Sequence, residues 1–184
     1  MITVFGISGK KTVGKDTLAK LMIDNADVVG CRVGFADALK EEVAKAVGKT
    51  PQFIEANKTQ FRGILQWWGT DFRRHYEGGR YWVDKVIVKI DEKIRQGYKL
   101  IIIPDVRFLS EADSLRELGA HLVRVARPIV SSDSHSSETE LDNYEQWNHI
   151  VLNSGSLMHL EEEARKILKS SNIPVKQLSQ TTIT

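Results

Sequence analysis

A chain of 184 residues has the length of one domain, and 41% apolar against 27% charged residues is the composition of a folded protein, not a disordered one. No apolar run approaches the ~20 residues of a membrane span. The start Met1-Ile2-Thr3-Val4 lacks the basic residues of a signal peptide, and a lone Cys31 excludes an internal disulfide or a cysteine-built zinc site, so a reducing, cytoplasmic setting is expected. The net charge of +2 is too small for a nucleic-acid or membrane-binding surface. It hides an imbalance, because residues 131–163 hold eight acids and no Lys or Arg.

Ile2 to Ser8 is a β-rich run ending at a glycine cluster, and Lys15 to Asn25 has helical spacing through Leu18 and Met22. Val28 to Phe35 reads as a second strand, with Asp37 as the cap of a helix running to about Val47. Beyond Pro51 a helix carries Phe61, Leu65 and Trp68, and Gly78-Gly79 precedes a long helix with Trp82, Val86, Ile90 and Ile94 on one stripe. Leu100 to Ile103 is continuously apolar, the pattern of a strand buried on both faces. Ser110 is placed to cap a helix closed by Gly119, His121 to Ala126 and His149 to Leu152 are strands, and Ser156 caps a helix through Leu168. Residues 128–147 read as a long loop, and the tail from Ser170 as poorly ordered. Alternating strands and helices predict an α/β fold with a mainly parallel sheet.

The stretch Gly9-Lys10-Lys11-Thr12-Val13-Gly14-Lys15-Asp16-Thr17 joins the first strand to the first helix. Glycines there let backbone N–H groups converge on a phosphate chain, and the helix presents its positive end to it. Lys15 adds a point charge for the β- and γ-phosphates of a nucleotide. Asp16 breaks the strict motif by standing where Ser or Thr is required, and the hydroxyl follows one place later at Thr17. Asp16 either holds a magnesium-bound water or caps the helix. Lys10 and Lys11 read as solvated loop residues.

A second constellation is Ile103-Pro104-Asp105-Val106-Arg107. A carboxylate at the carboxyl end of a buried strand lies where open α/β sheets bind ligands, and Asp105 is placed to orient hydrated magnesium. The alternative is that Asp105 pairs with Arg107 as a structural cap. Arg107 suits bidentate grip of an acceptor phosphate. Between the two constellations Arg62, Arg73, Arg74 and Arg80 interleave with Trp67, Trp68, Phe72, Tyr76, Tyr81 and Trp82. Such a mixture can stack a base and hold a phosphate, with Trp82 and most other aromatics as core. Arg62 and Arg80 are favoured over Arg73 and Arg74.

Taken in order, these residues resemble the bacteriophage deoxynucleoside monophosphate kinases, P-loop relatives of adenylate kinase. The likeness runs over about residues 2–168. It rests on Gly14-Lys15-Asp16-Thr17, Gly69-Thr70-Asp71, Arg80-Tyr81-Trp82-Val83 and Pro104-Asp105-Val106-Arg107. It continues through Arg127-Pro128, Asp133 to Glu138 and Asn153-Ser154-Gly155-Ser156-Leu157. The resemblance implies a three-layer P-loop NTPase fold with a central five-stranded, mainly parallel sheet in a single domain, residues 1–169, followed by a tail. Within it, residues 37–80 would bind the acceptor and 127–142 would form a lid. It implies ATP and magnesium, with a deoxynucleoside monophosphate as acceptor. Gly9, Thr12, Gly14, Lys15, Asp16, Thr17, Asn153 and Gly155 would then hold ATP, with Asp16, Thr17 and Asp105 toward the metal. Arg62, Asp71, Arg80, Trp82, Asp105 and Arg107 would hold the acceptor. Lys15, Arg107 and Arg127 would carry catalytic charge, with Arg124 the other candidate in the lid region.

Asp133, His135 and Glu138 are too few for a metal site of their own. The acidic stretch is expected to cover the outside of the lid and the solvated face of the last helix. Two rival readings are another P-loop kinase, acting on phosphomevalonate or dephospho-coenzyme A, and a nucleotide-binding domain without catalysis. The expected partners are small nucleotides, with a homodimer open and the host cytoplasm as location if the protein is phage-encoded.

Overall fold

In the computed structural model, which describes residues 1–128 and 136–177, five parallel strands lie in the order β2-β3-β1-β4-β5. They are β1 (Thr3–Ser8), β2 (Gly30–Arg32), β3 (Leu100–Val106), β4 (His121–Ala126) and β5 (His149–Leu152). Alternation along β3 explains why its sequence shows no polar face. Leu100 and Ile102 enter one core, Ile101 and Ile103 the other, and all four side chains are fully buried. Each such burial stabilises the fold by about 1.5–3 kcal/mol.

The first core is covered by α1 (Lys15–Asn25) and α9 (Leu157–Ser170), which set Leu18, Met22, Leu160, Ala164 and Leu168 against Phe5, Ile7 and Val123. On the opposite face lie α2 (Phe35–Ala46), α6 (Tyr81–Arg95) and α7 (Leu109–Glu117), with Ala38, Trp82, Val86, Ile90 and Leu115 inward. A smaller cluster of Val43, Ala44, Ile54 and Leu65 fastens α3 (Pro51–Ala56) and α4 (Lys58–Gln66) to α2. α4 continues into a π-helical segment, Trp67–Arg74, then into α5 (His75–Glu77). α8 (Ser136–Thr139) precedes β5.

Four local expectations change. β2 is short because Gly34 already caps α2, and Asp37 sits in the first turn, accepting the Gly34 N–H at 2.8 Å. β3 runs past Ile103 to Val106, and its pairing with β1 slips by one residue around Pro104, which has no N–H to give the ladder. Ser110 does not cap α7. Glu111 does so, accepting the N–H groups of Arg107 at 2.8 Å and Phe108 at 3.2 Å. The tail is held as far as Lys176, because Ile173 is buried, Pro174 O accepts the Asp27 N–H at 2.8 Å and Asn25 O accepts the Lys176 N–H at 2.9 Å. The last residues, 178–184, and Asp133 and His135 of the expected lid lie outside the described residues.

Candidate active site

The loop between β1 and α1 is shaped by two glycines whose backbone angles side chains rarely adopt. Gly9 has φ +145°, and a Cβ there would lie 2.3 Å from Val125 O on β4. Gly14 has φ +103°, and a Cβ there would meet Asn153 Nδ2 at 2.5 Å. Asn153, buried just after β5, donates Nδ2 to Val13 O at 2.8 Å and its own N–H to Ala126 O at 2.8 Å. It thereby ties the middle of the loop to the sheet. Thr12 takes φ +64° beside it. Among the described residues no side chain caps the amino end of α1, so its N–H groups and positive end face the loop's hollow.

Lys15 is buried and turns its ammonium back to Lys10 O at 2.6 Å. Burial pushes its pKa down to about 8; Arg107 adds to the shift, while Glu138, Asp16 and Asp105 oppose it. Asp16 and Thr17 stand exposed on the first turn of α1. Lys10 is not merely solvated, since its ammonium meets Asp142 at 2.7 Å. Lys11 donates its backbone N–H to Glu138 Oε2 at 2.7 Å.

At the carboxyl end of β3, Asp105 accepts the N–H groups of Phe35 at 3.0 Å and Ala36 at 2.8 Å, so it caps α2 from a strand seventy residues away. Burial pushes its carboxyl up against these hydrogen bonds. It does not pair with Arg107 as a cap. Arg107 instead reaches Glu138 and donates to Ser137 O at 3.2 Å.

Beside Arg107 opens a cavity walled by α2, α4 and the π-helical segment, into which Arg62, Arg74, Arg107, Trp82, Phe108 and Glu111 face. Trp82 forms its floor, with Nε1 donating to Gly69 O at 2.9 Å. Arg74 is the better placed of the two neighbouring arginines. Its guanidinium lies 3.6 Å from the centre of the Phe108 ring, pairs with Glu111 at 2.5 Å and donates to Ser110 Oγ at 3.0 Å. Its Nε is buried with no hydrogen-bond partner among the described residues. Burial lifts the Glu111 carboxyl to about 7, with Arg74 opposing.

Other expected residues lie elsewhere. Arg80 is exposed at the start of α6 and pairs with Asp84 at 3.5 Å, and Asp71 is exposed on a separate shallow depression. Arg73 faces α2, where Glu42 gathers it with Trp68, Tyr81 and Lys85. Arg127 is exposed just past β4, and Gly155 is exposed in the turn before α9. Arg124 meets Asp142 at 3.0 Å and Ser8 Oγ at 3.2 Å. In the sequence Arg74 ranks below Arg62 and Arg80, Glu138 belongs to the expected lid and is too weak a metal ligand to count alone, and Glu111 carries no assigned role. The one available signal for Glu111 was its place three residues into a helix, facing back to the amino end.

Among the described residues no three His, Cys, Asp or Glu side chains gather as a metal cage. A magnesium ion that keeps most of its waters needs only one or two protein oxygens beside the phosphates. Asp16 and Thr17 fit that demand, whereas both Asp105 oxygens are engaged by α2.

Lys11, Arg107 and Glu138 border both the loop after β1 and the cavity, so the two meet at one seam. A five-stranded parallel sheet with a glycine-shaped loop between its first strand and first helix is the P-loop fold of small kinases. Two solved structures share the fold at low identity. A sugar kinase from Janibacter sp. HTCC2649 aligns with TM-score 0.55 and 16% identity over 92% of this chain and 95% of its own. The tunicamycin resistance protein of Deinococcus radiodurans aligns with TM-score 0.58 and 13% identity over 97% and 100%. The family profile described as deoxynucleotide monophosphate kinase matches residues 49–164. The chain belongs to the deoxynucleotide monophosphate kinase family. It is 27% identical to a putative deoxynucleotide monophosphate kinase of Acanthamoeba polyphaga mimivirus, over 85% of this chain and 91% of the relative. It is 32% identical to the deoxynucleotide monophosphate kinase of Enterobacteria phage T4, over 73% of this chain and 57% of the phage protein.

Proposed function

We propose that this protein transfers the γ-phosphoryl group of ATP to the 5′-phosphate of a deoxynucleoside monophosphate, giving a deoxynucleoside diphosphate and ADP. The observation that carries the reading is the seam at Lys11, Arg107 and Glu138, where a phosphate-binding loop opens directly into an arginine-lined cavity. ATP phosphates would lie over the amino end of α1 with Lys15 against them. The acceptor phosphate would be held by Arg107, Arg62 and Arg74, with the base beside Phe108 over the Trp82 floor. Residues 37–80 thus supply much of the acceptor wall, and part of 127–142 covers the seam.

The attacking oxygen is an anion near neutral pH, so the protein needs no strong base. It brings two anions together, lines them up and neutralises their charge. Magnesium, when bound with ATP, would shield the phosphate oxygens, with Asp16 and Thr17 placed to hold its waters. Covering the seam would exclude water that would otherwise take the phosphoryl group. The host cytoplasm, where nucleotides are available, is the matching location.

The test is an ADP-release assay with ATP and a panel of acceptors: the deoxynucleoside and nucleoside monophosphates, phosphomevalonate and dephospho-coenzyme A. Turnover on at least one deoxynucleotide is expected, and Lys15→Ala should lower it by about a hundredfold or more while leaving the fold intact. Turnover confined to a non-nucleotide acceptor would replace the reading. Nucleotide binding without transfer to any acceptor would favour a non-catalytic domain.

A further inference from the structure

Glu138 is an unusual carboxylate for a short surface helix: its side chain is only 7% exposed and both its oxygens are engaged. Oε2 accepts the Lys11 N–H at 2.7 Å, and Oε1 pairs with the Arg107 guanidinium, which also donates to the neighbouring Ser137 O. The place of Lys11 decides what the contact does. Lys11 precedes Lys15 by four residues and lies in the first half of the loop, not at the amino end of α1. A carboxylate lodged at that helix end would compete with phosphate. One bound at Lys11 lies beside the phosphate hollow and leaves the end of α1 uncapped by any described side chain.

The contact also has an electrostatic purpose. Arg107 lies close enough to disfavour the charge on Lys15, and Glu138 offsets that repulsion. The segment after it docks in the same manner. Glu140 accepts the Leu109 N–H at 2.9 Å, and Asp142 holds Lys10 at 2.7 Å and Arg124 at 3.0 Å. Each of these groups belongs to the carboxyl edge of the sheet.

We propose that Glu138 is a positioning residue for phosphoryl transfer, clamping the Arg107 guanidinium to the phosphate loop so that it stands between the ATP phosphates and the acceptor. The proposal rests on the kinase reading above. Arg107 touches the reacting phosphates in this scheme, and Glu138 acts only through it. A long, flexible arginine loses much of its value when its head wanders by an ångström, because charge must meet the transferring group in one geometry.

The experiment is steady-state kinetics on Glu138→Gln, Arg107→Ala and the double variant, with ATP and the best deoxynucleotide acceptor. Glutamine keeps the size and can still accept the Lys11 N–H, but it carries no charge to hold Arg107. The expected result is a kcat lowered by about tenfold or more, with the KM for ATP changed by less than about threefold. The double variant should be no slower than Arg107→Ala, since the two residues act as a unit. Glu138→Asp, which keeps the charge on a shorter arm, should recover part of the loss. Exchange of the Lys11 amide hydrogen, followed by NMR without nucleotide, should be slow in the wild-type protein and faster in Glu138→Ala.

A wild-type kcat in Glu138→Gln would overturn the proposal, as would losses that multiply in the double variant. Tighter ATP binding with a raised kcat would also overturn it, by showing that Glu138 blocks the site. An inactive wild-type protein would overturn the kinase reading, and this role with it. An active wild-type enzyme matched by Glu138→Gln would overturn the positioning role alone.

Discussion

Lys15 is an ammonium held largely out of water, and burial holds its pKa at about 8. Phosphate oxygens favour the charged form and raise that value on binding. Between the free and bound values the complex therefore holds more protons than the free protein. Binding of ATP a little above pH 8 should take up a fraction of a proton, read by calorimetry in buffers of different ionisation heat. Lys15→Arg should abolish the uptake, because arginine stays charged, and proton release would contradict the assignment. The same shift sets a sign for stability. From about pH 8 up to the ordinary lysine value of 10.5, the folded state holds fewer protons than the unfolded one, so this group's contribution rises with pH there. Lys15 was legible in the sequence because Gly9 and Gly14 write their backbone demands locally. Arg74 was not, since its advantage over Arg80 depends on a stack against Phe108 and a pair with Glu111 that only the assembled fold creates.

Among the elements, α2 shows how a helix can be started from far away. Its first N–H groups are satisfied by Asp105 on β3, and no nearby Ser, Thr or Asp does that work from the capping position, which is Gly34. Asp105→Ala leaves two N–H groups without that acceptor and should cost about 1–3 kcal/mol, measured by urea unfolding. Unchanged stability with lost ATP turnover would instead assign Asp105 to the metal. This remote cap also explains the misplaced boundary between β2 and α2: a sequence reader sees Asp37 and cannot see Asp105. Strand and helix types were readable where the pattern was strong, as in the unbroken apolar run of β3 and the single apolar stripe of α6. The π-helical segment escaped because its aromatics fit a 3.6-residue period well enough, and the wider winding appears only once Trp67 stacks on Phe72 at 5.4 Å and Trp82 binds Gly69 O.

For the molecule as a whole, the net charge of +2 is the sum of two interlocked populations. The acids of the stretch 131–163 were expected on the outside. Glu138 and Asp142 instead face Arg107, Lys10 and Arg124, so part of the acidic excess compensates cations at the carboxyl edge of the sheet. Nucleotide binding should stabilise the fold as a unit, because loop, β4 and β5 are joined through Val125, Asn153 and Val13. With ATP at about 100 times its dissociation constant, the gain should be about 2.7 kcal/mol. For a chain of this size that raises the unfolding midpoint by roughly 5–10 °C, and a midpoint unmoved by ATP would argue against occupancy of the loop. No helix among the described residues is long and apolar enough to cross a membrane.

The π-helical stretch Trp67–Arg74 also offers a route to altered acceptor preference through chain length alone. Each π turn holds more residues than an α turn needs, so one residue can be removed and the ladder returned to ordinary α winding. Leu65 would still anchor α4, and Trp82 would still anchor α6. Between these fixed ends, a single-codon deletion would redirect the side chains from Gly69 to Arg74. It would redraw the cavity wall without replacing any residue that remains.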